Sequence, residues 1–558
     1  MKKTLRNGFL LAGICSIFLI SACSNGTDNT SNSEPYDQAG KEHFLVLTND
    51  TVADVSLENL IKNNASMRAA GSINSNPGIE ELFESNAIKE NSDYENIINV
   101  NIDDPQLIEI LRNSDRNADP RFKTNANILP QKPLFTASEV GNTRNFWCYN
   151  TNMSSNNELV FTLKAIGQKC QIWFCNATDS HEEPDITNEQ FNSLAASLDQ
   201  VFEHEMAIFG SNIIEAYSNQ LINAPQGTKL NVLIYDICGD KNPPQGQAVV
   251  GGLFASKDLF LQASLGNDIK SNECECIHAD SYLLKKDIDK NSKFITSTLL
   301  HEFQHLLNFV NKTVKISNNP VYATWYTEML SMCAEDVFQT QLGLQDNDSP
   351  KSRLATFAAA YHDGFRNWRD STGNSNDVLK SYANAYAFGA FLMRNYGGVN
   401  LINQIATNDA VDEASISAAL AALGHKEDFY SVLHKFGNAI VFPTEADKLN
   451  LNKNVIQDFS GVRYNLTAIN LMNYGNLVLE ANLPAYYDYK NRIKKVTVGE
   501  QEMTAIYGPI ILNKGYYPIA NLGSAGTFVT YYGAVDSKPE ITLPEGITGI
   551  TQTIIIKE

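Results

Sequence analysis

Residues 295–310 read ITSTLLHEFQHLLNFV. Thr296, Leu299, Leu300, Leu306, Leu307 and Phe309 surround the centre of this stretch with side chains suited to packing. A solvated surface helix would show more charge, so the spacing predicts a helix buried on most of its faces. The rest of the chain has to fold around it. At its middle stand His301 and His305, four residues apart and so about 40° from each other on one helical face. Both imidazoles can meet a single metal ion, and Glu302 beside them can reach a water on that ion. A catalytic zinc takes one more protein ligand and keeps one position for water. That water's pKa falls to about 7, and Glu302 can accept its proton. The alternative is a structural helix whose histidines bond to neighbouring carbonyls.

The third ligand has to come from elsewhere. The next helical stretch, Trp325 to Asp336, carries Glu328, Ser331 and Glu335 at i, i+3 and i+7, all on one face. Both glutamates are candidate ligands. Glu328 is favoured because it opens a Glu-x-x-Ser arrangement. Ser331 or Glu335 could then accept from an imidazole and orient it.

HEFQHLLNF followed by TWYTEMLSMCAEDV resembles the hyicolysin family of bacterial zinc metallopeptidases, within the wider gluzincin group. The resemblance covers roughly residues 144 to 440. It implies that His301, His305 and Glu328 bind one Zn²⁺ per chain and that Glu302 is the general base. The gap to Glu328 is a few residues longer than in thermolysin-like enzymes. Downstream, Tyr386-Ala387-Phe388-Gly389 with Tyr396-Gly397-Gly398 resembles the Tyr-x-x-Gly segment of several gluzincins. That likeness implies a Tyr386 hydroxyl donating to the oxyanion of the tetrahedral intermediate, a place where negative charge develops. A core tyrosine on an apolar helix, and Tyr382 one turn earlier, are the rival readings.

The amino terminus speaks to location. MKKTLR is a basic n-region, and residues 8–20 are an apolar h-region too short for a comfortable transmembrane span. Ile20-Ser21-Ala22-Cys23 looks like a bacterial lipobox, which implies cleavage before Cys23 and lipid on its thiol. A plain signal peptide with an incidental cysteine is the alternative. Dual or triple acylation anchors firmly where one chain would be marginal. Residues 23–42 are polar and read as a flexible tether. The expected location is the bacterial cell envelope, on a membrane facing the periplasm or cell exterior.

Seven further cysteines follow, and an exported context permits disulfides. Seven is odd, so at least one thiol is left over. Cys274-Glu275-Cys276 with His278 has soft-metal residue types, but the spacing matches no zinc-ribbon pattern. The expectation there is a loop with one disulfide partner.

With 558 residues, two or three domains are expected. The formal net charge of -20 argues against nucleic acid as a partner. Residues 43–143 contain strand-like FLVLTND and helix-like DPQLIEILRN, and read as an accessory or pro-segment. ELVFTLKAIG and KCQIWFCNA look like paired strands, KLNVLIYDI like a buried strand, and GGLFASKDLFLQA like an edge strand. Residues 187–218 and most of 293–439 are helical. Residues 455–558 alternate β-formers with glycine turns and read as an all-β, sandwich-like domain. The fold class is therefore α+β, with a zincin-like domain over residues 144–445. The function expected is an exported, lipid-anchored zinc endopeptidase acting on protein or peptide substrates. The rivals are a non-enzymatic surface adhesin or scaffold, and a zinc hydrolase of a non-peptide bond.

Overall fold

The computed structural model describes residues 37–57, 97–102, 105–113, 139–149, 157–175, 186–215, 217–237, 249–286, 293–369, 375–514, 521–541, 543 and 547–557. The signal segment and Cys23 lie outside them. The fold is α+β. Its first strand, β1 (Glu42–Asn49), contains the apolar run Phe44–Leu47, which is buried on both faces.

A seven-stranded sheet carries the helical half. Its strands are β2 (Ile97–Ile102), β3 (Thr143–Cys148), β4 (Asn157–Ile166), β5 (Cys170–Phe174), β6 (Leu230–Tyr235), β7 (Val249–Ala255) and β8 (Cys276–Asp280). The spatial order is β2-β7-β8-β6-β5-β4-β3. β4 and β5 form the expected antiparallel hairpin. β6 is buried along its whole length, as its unbroken apolar run requires.

One expectation fails. β7 is not an edge strand: β2 pairs with it in parallel on one side and β8 antiparallel on the other. The partner comes from about 150 residues earlier in the chain, so no local pattern announces it.

Four helices matter for the site. α1 (Asn188–Phe209) starts at a Thr187–Gln190 capping box and stops at Gly210, short of the helix expected to reach residue 218. α2 (Lys293–Asn308) is the helix of the opening motif; it packs beside α1 and covers β2, β7 and β8, while α1 covers β4 and β5. α3 (Thr324–Leu342) ends on Gly343 at φ 64°, a left-handed cap that glycine adopts without strain. It packs on both α2 and α4 (Ser375–Tyr396).

The C-terminal β region is not independent of the amino terminus. β1 lies between β9 (Thr527–Ala534) and β10 (Ile550–Lys557), antiparallel to both. Residues 475–507 form a separate three-stranded sheet. β9 and β10 pair both edges of β1, and its two faces pack into different apolar clusters, Phe44 and Val46 into one and Leu45 and Leu47 into the other. Residues 43–143 are shared between the two regions: β1 and Val55–Ser56 pair with carboxyl-terminal strands, and β2 joins the sheet beneath α2.

Candidate metal centre

α2 presents His301 and His305 on one face, with ring centroids 4.8 Å apart. α3 runs beside it and brings Glu328 between them. Glu328 Oε2 is 3.0 Å from His301 Nε2, and Oε1 is 3.5 Å from His305 Nε2. These three residues could hold a metal ion. All of them, with Glu302, are at most 1% exposed.

The other ring nitrogens point away from the centre and are engaged. His301 Nδ1 donates to Glu335 Oε1 at 2.9 Å, and Ser297 Oγ donates to Glu335 Oε2 at 2.7 Å. His305 Nδ1 pairs with Thr327 Oγ1 at 2.8 Å. Ser331 Oγ lies 3.2 Å from the same nitrogen and donates to Gln304 Oε1 at 2.6 Å. A histidine whose Nδ1–H is committed in this way turns the Nε2 lone pair to the centre. The donor set therefore fits a metal. Of the two glutamates left open by spacing, Glu328 faces both Nε2 atoms, and Glu335 sits behind His301.

The electrostatics agree. Burial alone would lower the His301 imidazole, but its hydrogen bonds to Glu328 and Glu335 push it up to about 10. Burial would raise Glu328, yet His305 and then His301 hold it down at about 2. Burial holds the Glu302 carboxyl well above its ordinary range, with Glu328 and Glu335 adding to the effect.

Glu302 points to β7. A Cβ at Gly252 would come within 2.9 Å of Glu302 Cγ and of Thr298 Cγ2, so only glycine lets the strand approach this closely.

Tyr386 is a correction. Its hydroxyl lies in the field of Asp336, Arg394, Tyr474 and Cys333, not among the histidines. Asp336 and Arg394 form a bidentate, fully buried ion pair with Nη1–Oδ2 at 2.7 Å and Nη2–Oδ1 at 3.1 Å. On α4, a helix buried nearly all round, the hydroxyl follows the buried charge it can stabilise. Tyr382 is structural too: its hydroxyl donates to the Asn99 carbonyl of β2.

Two site residues escaped the sequence reading. Thr327 immediately precedes Glu328, but its role depends on side-chain direction and not on spacing. Glu205 of α1 is fully buried, and neither of its oxygens is hydrogen-bonded. Burial, and then Glu335 nearby, hold its carboxyl well above the usual range. A lone acid within the apolar face of α1 was its only signal.

The family model for peptidase M30 matches residues 155–444, the stretch that contains the whole centre. The chain belongs to the peptidase M30 family. β2 and β3 precede the M30 match, and β9 and β10 follow it. The neutral metalloprotease ShpI of Staphylococcus hyicus is 25% identical over 295 residues, which cover 52% of this chain and 59% of that protein. The chain therefore spans a little over half the length of this relative.

Proposed function

We propose that this chain is a zinc-dependent endopeptidase. The observation that carries the reading is the convergence of two Nε2 atoms and the Glu328 carboxylate in a dry pocket, with Glu302 alongside. The M30 match and the metalloprotease relative support the reaction class. His301, His305 and Glu328 would hold the ion, and two imidazoles with one carboxylate suit zinc. When bound, it supplies Lewis acidity that polarises a carbonyl and makes water acidic near neutral pH. Glu302 accepts the proton of the attacking water and returns it to the leaving amine. Glu335 and Thr327 hold the imidazoles in the tautomer and orientation this needs.

Glu328→Ala is expected to weaken zinc binding more than Glu335→Ala, whose loss should stay within about 10- to 100-fold. Zinc titration of both variants checks this, and a greater loss in Glu335→Ala would reverse the assignment.

The pro-segment reading narrows to β2. A peptide reaching Glu302 has to pass beside Gly252, and an extended substrate binds most readily by adding a strand to a sheet edge. β2 holds that place: Asn99 pairs with Gly252, and α2 packs on β2. From the helical half, Arg353 Nη2 donates to the Ile97 carbonyl at 2.5 Å, and Tyr382 donates to the Asn99 carbonyl. Asn99 is fully buried, and neither atom of its amide finds a hydrogen-bond partner. Because the centre is sealed, substrate entry requires something to move, and β2 lies outside the M30 match. In this reading the chain is latent until β2 leaves.

Export and lipid anchoring rest on the Ile20-to-Cys23 stretch. Among the described residues no helix is long and apolar enough to cross a membrane. Cys23→Ala in the native host should move the protein from the membrane fraction to the soluble exported fraction. Continued need for detergent would point to another attachment.

A further inference from the structure

On the other face of the sheet from α2, Cys276 and His278 project from β8 two residues apart, as the strand's period of two requires. Asp258 reaches them from the 3₁₀ turn Ser256–Leu259 that follows β7. All three are at most 1% exposed and take no part in the chemistry at His301 and His305. Their core neighbours include Tyr149, Trp173, Tyr235 and Leu253.

We propose that Asp258, Cys276 and His278 are ligands of a second, structural zinc site. The distances favour this over a hydrogen-bonded trio. Asp258 Oδ2 is 3.4 Å from Cys276 Sγ and 3.3 Å from His278 Nε2, and Sγ is 3.9 Å from Nε2. Ligands placed tetrahedrally at ordinary zinc bond lengths stand about 3.5 Å apart for O and S, about 3.3 Å for O and N, and about 3.6 Å for N and S. The match is within about 0.3 Å on each edge. A histidine–carboxylate hydrogen bond in a dry core would instead close to about 2.7–2.9 Å.

The surroundings also orient the donors. Asp258 Oδ1 is already taken, by Lys257 Nζ at 2.9 Å and by the Asn272 amide at 2.9 Å. Only Oδ2 is left to face the other two residues. Tyr235 Oη, 3.2 Å from His278 Nδ1, sets the ring and leaves Nε2 for the ion. Lys257 offsets one of the two negative charges that Asp258 and a Cys276 thiolate would bring. Thiolate, imidazole and carboxylate together suit zinc and not a hard cation such as calcium or magnesium. With no exposed face, the site would brace the 258–276 segment on the sheet. The disulfide loop expected at this place is not formed: Cys274 and Cys276 are both free thiols.

Cobalt(II) loading of the full chain tests the proposal without reference to activity. A cobalt–thiolate charge-transfer band would mark this site and not the centre on α2, because of the two candidate metal groups among the described residues only this one has a sulfur ligand. The wild-type chain should hold about two ions by elemental analysis and show the band. His301→Ala with His305→Ala should lose one ion and keep the band. Cys276→Ser should lose the band and one ion, and Asp258→Asn should do the same if the serine variant does not fold. Cobalt-loaded wild type without a thiolate band overturns the proposal, as does an unchanged ion count in a folded Cys276→Ser chain. Neither result would touch the peptidase reading, which rests on the other cluster.

Discussion

Glu302→Gln is expected to abolish peptide hydrolysis while leaving the metal bound. Glutamine keeps the size of the side chain but cannot accept a proton from water. Loss of a positioned general base costs about 10²- to 10⁴-fold in turnover. The metal should stay because Glu302 is not among the three groups that converge, and it faces Gly252 across the helix–strand contact. His305→Ala should lose metal and activity together. Peptide turnover and zinc content of the two variants, measured side by side, separate base from ligand. A fully active Glu302→Gln enzyme would sink the mechanism.

The opposite sign is expected for β2. Val100→Pro should raise kcat/KM, because it removes a backbone donor from the pairing with β7. In a strand, a residue's N–H and carbonyl point to the same side. The Ile97 and Asn99 carbonyls turn to Arg353 and Tyr382, so Val100 turns to β7. A buried acceptor left without its partner costs about 1–3 kcal/mol. That corresponds to about 5- to 150-fold in the population of the open state. Tyr382→Phe is the milder variant: it deletes one hydroxyl and keeps the ring against Trp368, 4.9 Å away, and the Arg353 guanidinium at 4.8 Å. It should also raise activity. If both variants fold, hold zinc and cleave at the wild-type rate, β2 does not block the cleft, and the peptidase reading survives on its own.

Tyr386 shows why one expectation misled. A Tyr-x-x-Gly stretch on an apolar helix says that the tyrosine is buried, not which neighbour its hydroxyl meets. On α4 most positions are interior, so periodicity has no polar face from which to take a direction. The Asp336–Arg394 pair, contributed by α3 and by α4 itself, sets the environment of that hydroxyl.

Local geometry made the two histidines and Glu302 legible from the sequence. Four residues of helix place two imidazoles on one face whatever surrounds them, and the absence of charge around the motif implied burial. The same rule put Glu328, Ser331 and Glu335 together on the next helix but could not rank them. The rank came from how α3 lies against α2, since that alone decides which carboxylate meets Nε2 and which meets Nδ1. The β4–β5 hairpin and buried β6 were legible for the same local reason. Long-range pairing was not: β1 closes a sheet with strands about 500 residues away, β2 lies against β7 across about 150, and Asp258 meets Cys276 and His278 from a neighbouring strand's turn. Helix and strand periods act over a few residues. Contacts such as these are selected by which buried surfaces and unpaired backbone edges remain to be covered, and only the folded chain decides that.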